Sequence, residues 1–203
     1  NDKIKLMVSE QGFTFSNWIY IDDEVQAVLD AGMDKNGLMG INPEGINRVL
    51  LSHHHMDHTR GIGLFPQAGL WIHELETQVL RIPALSLEYN SLDLWPTLMP
   101  GADLLEANRE IGLDVRELQA QLPPGHKRKI KSFADGDIFD FGATKLQVLH
   151  LPGHSVGHCC FFFPEEDFLY SADICMTRVG PWYGEHLADP WETARSIDKI
   201  IDL

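Results

Sequence analysis

The chain carries two groups of short segments with the hydrophobic pattern of β-strands, one before residue 73 and one after residue 137. In the first group, Ile4, Leu6 and Val8 occupy every second position, as expected of a strand with one buried face. Asp-Asp at residues 22–23 separates two later segments and is typical of a hairpin turn. The pattern therefore predicts a β framework. Its predicted strands are residues 3–8, 13–21, 25–29, 46–51, 69–72, 138–141, 144–149, 158–163 and 168–170.

Residues 80–131 interrupt this framework and favour helices instead. One helix is predicted over residues 101–111. Another is predicted over residues 114–122, which begin with a capping-box sequence and are followed by Pro-Pro-Gly. The stretch is too apolar for a solvated loop, so it predicts a local core, a lining for an apolar substrate, or a homodimer contact. We predict a single domain over residues 1–203 with a helical insertion at 80–131.

Two further helices are predicted outside the insertion. One spans residues 74–80. The other closes the chain, with Asp189 as its N-cap and Pro190 at its first helical position. Its apolar stripe is expected to face the core. The stripe consists of Trp191, Ala194, Ile197, Ile200 and Ile201.

Composition and charge limit the classes of protein to consider. The 203 residues hold 30 acidic and 16 basic side chains, a formal net charge of −14, which argues against nucleic acid as a partner. No apolar run reaches the roughly 20 residues of a membrane span. The three cysteines lack the spacing of a disulfide framework and favour a reducing compartment. We therefore expect a cytoplasmic protein with a small-molecule substrate. Because the first residue is Asn, we also expect that the natural N-terminus is missing.

The most informative segment is Ser-His-His-His-Met-Asp-His at residues 52–58, directly after a predicted strand. Burying four imidazoles without a ligand would leave polar groups unpaired, at a cost of about 1–3 kcal/mol each. Imidazole and carboxylate together suit zinc, iron, manganese or nickel. A solvated histidine-rich loop is the alternative, whereas a purification tag would lie at a terminus. The segment therefore favours a metal site.

The spacing His-x-His-x-Asp-His on a strand-to-helix turn resembles the signature of the metallo-β-lactamase-fold hydrolases. Three more segments resemble that family in the expected order: Asp-Ala-Gly at 30–32, Pro-Gly-His at 152–154, and Tyr-Ser-Ala-Asp at 170–173. The resemblance runs from about residue 15 to the end of the chain, with the insertion as the divergent part. It implies a mixed α/β protein, a four-layer αββα sandwich. We also expect that the C-terminal part of this sandwich is incomplete.

The resemblance further implies a site for two metal ions, each held by side chains that follow a predicted strand. A carboxylate between the ions would bind both of them. The two x positions of the signature, His54 and Met56, are not expected to be ligands. The implied ligands are His53, His55 and His154 for the first ion, Asp57 and His58 for the second, and Asp173 as the bridge.

Other side chains are expected to support this site without binding metal. Asp57, besides being a ligand, would act in catalysis by orienting the nucleophile or carrying its proton. Two residues would hydrogen-bond to the ligands, and two aromatic residues in a turn would line the pocket, although packing is the simpler role for them. These supporting residues are Asp30 and His158, and the aromatic pair Trp182 and Tyr183.

Two departures from the family pattern bear on the function. The family usually takes one more histidine for the second metal from a loop near the C-terminus, and no histidine follows His186 here. Either the chain stops before that loop or His186 replaces this ligand. In addition, β-lactamases of this fold commonly have a cysteine where Asp173 stands. The chain therefore resembles the glyoxalase-II-like branch more than the antibiotic-hydrolysing one.

The resemblance implies a hydrolase in which a metal-bound hydroxide at a binuclear site attacks an ester-like bond. A thioester, lactone or carboxylic ester is preferred over a phosphodiester. The expected cofactors are two divalent ions, zinc first, with iron or manganese as alternatives. Two other functions stay open: an iron-dependent redox protein on the same ligands, and a metal-binding regulatory protein without turnover. The sequence does not name the substrate, because specificity resides in loops that differ between relatives.

Overall fold

A computed structural model describes residues 2–10, 14–101, 103, 128–174 and 183–203. The helices predicted at 101–111 and 114–122 lie almost wholly outside these residues. The described strands form two sheets and confirm the predicted β framework, with most strands one to three residues shorter than expected. Their bounds are β1 Ile4–Met7, β2 Trp18–Ile21, β3 Ala27–Leu29, β4 Arg48–Leu50, β5 Gly69–His73, β6 Ile130–Phe133, β7 Ile138–Asp140, β8 Lys145–His150, β9 Cys159–Phe163 and β10 Phe168–Tyr170.

The larger sheet has six strands in the order β1-β2-β3-β4-β5-β6. Strands β1 to β3 pair antiparallel, whereas β3 to β6 pair parallel. The smaller sheet is antiparallel, with the order β10-β9-β8-β7. Strand β6 begins at Ile130, so the last two residues of the predicted insertion belong to the larger sheet. They pair with β5, which is a long-range contact that local sequence does not reveal.

The described helices are few and short, except for the last one. The prediction of a helix at 74–80 is wrong, because only a 3-10 turn, Glu74–Glu76, forms there. The reason is tertiary, because the Glu76 side chain is buried against the loop that follows β8. The helices are α1 Met56–Thr59, α2 Pro83–Tyr89, α3 Trp95–Leu98 and α4 Pro190–Ile201. None of the helices in the described part of the chain is long and apolar enough to cross a membrane.

The two sheets pack face to face, and β2 shows why its sequence is continuously apolar. Ile19 and Ile21 point into the core between the sheets, together with Phe161 and Phe163 of the smaller sheet. The alternate residue Trp18 points into a second core on the other face of the larger sheet. A strand buried on both faces needs apolar residues at every position. The arrangement gives layers of helix and turn, sheet, sheet, and helix, which confirms the predicted αββα sandwich.

Helix α4 forms the outermost layer on the smaller sheet, but its predicted apolar stripe is only partly correct. Ile197 and Ile200 pack on that sheet, whereas Trp191 and Ile201 are 74 % and 73 % exposed. The buried side chains also include the polar residues Thr193 and Ser196. These small residues let the helix approach the Pro-Gly-His loop closely, which a stripe of large apolar residues would prevent.

Gly153 marks this close approach. Its φ of +127° is disfavoured for other residues, and a Cβ placed there would lie 2.2 Å from the backbone nitrogen of Thr193. The Ser196 hydroxyl donates to the Pro152 carbonyl at 2.8 Å, and the Asp189 backbone N–H donates to the Gly153 carbonyl at 2.8 Å. The start of α4 is therefore docked against the loop that carries His154.

The Asp189 side chain caps α4, as predicted, by accepting from the backbone N–H groups of Trp191 and Glu192. We expect Asp189→Ala to lower the free energy of unfolding by about 0.5–2 kcal/mol, because two N–H groups lose their acceptor. Urea unfolding followed by circular dichroism measures this change. Asp198→Ala, on the exposed side of the same helix, is the matched control and should change stability by less than about 0.5 kcal/mol. Equal effects in the two variants would contradict the capping role.

Candidate metal centre

The candidate metal centre lies at one edge of the sandwich, where strands of both sheets end. Strands β3, β4 and β5 are parallel, so their carboxyl ends meet at the same edge. Asp30 follows β3, and the histidine-rich segment 51–55 follows β4 and leads into α1. The smaller sheet contributes the loop between β8 and β9, with His154, and the residues after β10, with Asp173. Segments far apart in sequence thus converge on one place.

Three buried imidazoles form the first group of side chains at this edge. Nε2 of His53 lies 3.0 Å from Nδ1 of His55, and Nε2 of His154 lies 2.9 Å from that His55 atom and 3.3 Å from Nε2 of His53. Ligand nitrogens around a tetrahedral ion with ordinary Zn–N distances are roughly 3.3 Å apart. The three nitrogens therefore surround a position that a metal ion would fit.

Burial keeps these imidazoles in the neutral form that a metal requires. It lowers the pKa of His53 well below its usual value, and the neighbouring imidazoles lower it further. Burial likewise lowers the pKa of both His55 and His154 to about 4. At neutral pH the three rings carry lone pairs rather than charges, so no deprotonation has to precede metal binding.

Asp173 connects this group to a second one. Its Oδ2 lies 3.3 Å from Nε2 of His154, while its Oδ1 lies 2.9 Å from Nε2 of His58. Asp57 completes the second group, with Oδ2 at 3.5 Å from the same His58 atom. Ligand atoms of His53, His55, His154 and Asp173 all lie within 4.8 Å of one another, and so do those of Asp57, His58 and Asp173. The carboxylate of Asp173 thus has the position expected of a bridge between two ions.

His58 has the orientation of a ligand as well. Its Nδ1 faces Oδ2 of Asp30 at 2.8 Å, which indicates that Nδ1 carries the ring proton and donates it. Nε2 faces the carboxylates of Asp173 and Asp57 at 2.9 Å and 3.5 Å. Burial lowers the pKa of His58, but these carboxylates and that of Asp30 raise it well above its usual value, so in the metal-free protein the ring also carries a proton on Nε2. A bound metal ion would replace that proton. An acceptor nitrogen beside two carboxylates is unfavourable unless a cation lies between them. The donor set therefore fits a second metal ion.

Asp30 lies beside His58, one of the candidate ligands. The residue is fully buried and adopts a positive φ of +62°. Its carboxylate accepts from the backbone N–H and the hydroxyl of Ser52 and from the hydroxyl of Tyr170, in addition to facing His58. The Ser52 hydroxyl in turn lies 2.9 Å from Nδ1 of His53. One carboxylate thus helps to orient a candidate ligand in each group.

His158 contacts the backbone of Asp173. Its Nδ1 faces the Leu151 carbonyl at 3.1 Å, and its Nε2 accepts from the backbone N–H of Asp173 at 3.2 Å. Burial lowers the pKa of His158 to about 3, so the ring stays a neutral acceptor. It therefore positions the backbone of the bridging residue.

The remaining predicted residues have different outcomes. Trp182 lies outside the described residues, and Tyr183 is 42 % exposed. His186 is exposed and belongs to neither group, so the described structure does not support it as a replacement ligand. His73 ends β5 and stacks on His150 at a ring-centroid distance of 4.1 Å.

Two buried glutamates beside the site are absent from the sequence-based predictions. Glu76 lies 3.2 Å from Nδ1 of His54, and Glu185 lies 2.7 Å from Nε2 of His55. Burial would raise the pKa of Glu76, but the facing His54 lowers it to about 2, so the two form an ion pair. Burial raises the pKa of Glu185 to about 7, against the opposing effect of His54. A single glutamate in a turn carries no local signal that could have predicted either role.

Comparison with known proteins identifies the class that this fold and site define. Residues 11–203 match the family described as the Metallo-beta-lactamase superfamily, and the chain belongs to that superfamily. This confirms the resemblance found in the sequence.

Curated relatives with similar sequences carry the names of hydrolases. The chain is 24 % identical over 193 residues to the hydroxyacylglutathione hydrolase of Cereibacter sphaeroides. The aligned region covers 88 % of this chain and 58 % of that protein. It is 26 % identical over 197 residues to the N-acyl homoserine lactonase AttM of Agrobacterium fabrum, covering 91 % of this chain and 64 % of the lactonase. The chain thus spans less than two thirds of the length of these relatives.

Solved structures show the same fold. A metallo-beta-lactamase family protein from Thermus thermophilus, TTHA1429, matches all of this chain and 70 % of its own chain, with a TM-score of 0.72 and 21 % identity. The protein TTHA1623, solved in a di-iron-bound form, matches 95 % of this chain and 84 % of its own, with a TM-score of 0.65 and 24 % identity. At these identities the likeness extends to the fold alone.

Proposed function

We propose that this protein is a hydrolase that uses two divalent metal ions to cleave an ester-like bond, either a thioester, a lactone or another carboxylic ester. The observation that carries the proposal is the position of Asp173, whose two oxygens face the two groups of candidate ligands. The names of the relatives support the substrate class, since one names an acyl compound and another names a lactone.

The candidate ligands form one group for each ion, and Asp173 belongs to both groups. His53, His55 and His154 would hold the first, Asp57 and His58 would hold the second, and Asp173 would contact both. Bound divalent ions at such a site supply Lewis acidity and lower the pKa of water to about 7. Zinc is our first expectation, because imidazole and carboxylate side chains are common ligands of Zn²⁺.

The exposed fractions of the ligands indicate from which side a substrate arrives. The side chains of His53, His58 and His154 are at most 2 % exposed. The side chains of Asp57 and Asp173 are 30 % and 32 % exposed. The open face of the site is therefore its carboxylate side. Asp57 lies on that face and can accept or deliver a proton at the bond that is cleaved, which is the catalytic role proposed for it.

Metal analysis of the purified protein, followed by a panel of thioester, lactone, carboxylic ester and phosphodiester substrates, tests this function. We expect two equivalents of metal per chain. We also expect hydrolysis of a carbonyl ester that a chelator abolishes and added Zn²⁺ restores. His55→Ala should lose this activity, whereas His186→Ala, which changes an exposed histidine outside both groups, should keep it.

Two results would reject the proposal in different ways. Carbonyl-ester hydrolysis that persists in His55→Ala without bound metal would remove the metal from the reaction. A metal-loaded, folded protein that hydrolyses no ester would instead support the regulatory alternative. Bound iron together with redox turnover would support the iron-dependent alternative.

A further inference from the structure

Glu185 contacts a candidate metal ligand from the side opposite to the metal position. It lies in the segment between β10 and α4, and its side chain is almost fully buried. Its Oε2 is 2.7 Å from Nε2 of His55 and 3.5 Å from Nε2 of His54. Glu185 belongs to neither of the two groups assigned to the ions. The structure therefore places an additional carboxyl group directly behind one ligand.

This contact determines which nitrogen of His55 is free to bind a metal ion. A neutral imidazole has one N–H donor and one acceptor nitrogen. Oε2 of the Glu185 carboxylate is an acceptor, so the ring proton of His55 that faces it belongs on Nε2. Nδ1 then keeps its lone pair, and this is the atom that faces His53 and His154 at 3.0 Å and 2.9 Å.

Glu185 is linked to Glu76 through His54, which lies between the two glutamates. The Nδ1 atom of His54 lies 3.2 Å from Oε2 of Glu76. Glu76 also accepts from the hydroxyl of Ser155 and from the backbone N–H of Gly157, next to the loop of His154. These contacts join the two loops that carry candidate ligands to the segment that precedes α4.

Helix α2 of the insertion contacts both His54 and the residue that follows Glu185. The ring of Tyr89, at the end of α2, packs edge-on against His54 at a centroid distance of 5.6 Å. The Tyr89 carbonyl accepts from the backbone N–H of His186, the residue after Glu185. The segment that carries Glu185 is thus attached to the insertion on one side and, through Asp189, to Gly153 on the other.

We propose that Glu185 is a positioning residue that fixes the tautomer and orientation of His55, so that the first metal ion binds tightly only when the segment before α4 is docked. The proposal deepens the proposed function, because it concerns the same metal centre. It does not require that the protein hydrolyses an ester, since the metal alone reports on it.

Zinc affinity tests this role. We would titrate metal-free protein with Zn²⁺ in competition with a chromophoric chelator and compare wild type, Glu185→Ala and Glu185→Gln. In Glu185→Ala, the first zinc ion, held by His53, His55 and His154, is expected to bind roughly 10–100-fold more weakly. This is the usual effect of removing a partner of a metal-bound histidine. Glu185→Gln keeps an acceptor oxygen and should lose less. Glu192→Ala changes a glutamate on α4 whose side chain is 42 % exposed. This variant is the matched control and should bind zinc as wild type does.

A second measurement separates positioning from a general effect on folding. Nitrogen NMR of the histidine rings should show His55 protonated at Nε2 in the metal-free wild type and in Glu185→Gln. In Glu185→Ala it should show a mixture of tautomers. Circular dichroism confirms that each variant is folded.

Three results would overturn the proposal. The first is zinc affinity of folded Glu185→Ala within twofold of wild type. The second is an unchanged His55 tautomer in that variant. The third is the loss of a complete zinc equivalent with the other affinities unchanged, which would make Glu185, with His54 and His55, a ligand of a separate ion. A negative ester panel, in contrast, would reject the proposed function and leave this inference standing.

Discussion

Replacing Asp173 with Ala is expected to abolish binding of both metal ions, whereas replacing His53 with Ala should weaken only the first. The reason is geometric, because Asp173 faces His154 with one oxygen and His58 with the other. The zinc content per chain, measured by elemental analysis after dialysis, should fall from two to well below one in Asp173→Ala. The rate of ester hydrolysis should fall together with the zinc content. The decrease should exceed the roughly 10–100-fold effect of removing the hydrogen-bond partner of a ligand, because Asp173 is itself a candidate ligand.

A conservative variant of Asp173 and a control variant far from the metal centre make this test more specific. Asp173→Asn keeps one carbonyl oxygen and is expected to retain part of the metal. Asp198→Ala, on the exposed face of α4, should retain both ions and full activity. If Asp173→Ala kept one tightly bound ion while His53→Ala lost both, the bridging position assigned to Asp173 would be wrong.

Replacing Glu76 with Ala is expected to destabilise the metal-free protein by about 3–5 kcal/mol, because it removes the nearer carboxylate partner of the buried His54. The hydroxyl of Ser155 and the N–H of Gly157 would lose their acceptor in the same change. Urea unfolding of the metal-free form measures the effect without a contribution from bound metal. Glu74→Ala, two residues earlier and exposed, is the matched control and should be nearly neutral. A loss below about 1 kcal/mol in Glu76→Ala would contradict the ion pair.

The pH dependence of stability gives an independent measure of the same ion pair. The pKa of Glu76 is lowered to about 2 in the folded protein, below its value of about 4.3 in an unfolded chain. A lowered pKa means that the contribution to stability is fully present above about pH 4.3 and is lost as the pH falls toward about 2. We therefore expect the difference in stability between wild type and Glu76→Gln to shrink over this range. A constant difference would indicate that the carboxylate charge is not involved.

The candidate site illustrates how much a sequence can predict when ligands are close together. His53, His55, Asp57 and His58 lie within six residues and follow a strand, so the strand and the turn after it suffice to gather them. His154 and Asp173 required the resemblance to a family, because their positions depend on how the second sheet packs on the first. Their roles as ligands stay predictions until metal is measured.

The sequence by itself determined the β framework, the capping of α4 and the segment that gathers most candidate ligands. Each of these depends on neighbours within a few residues, which local hydrophobic patterns and capping signals report directly. Only the tertiary structure decided the pairing of β6 with β5, the buried face of α4, and the contacts of Glu76 and Glu185 with the histidines. These features join groups 22 to 131 residues apart. Local patterns carry no information about such contacts, because the packing of the two sheets determines which loops meet.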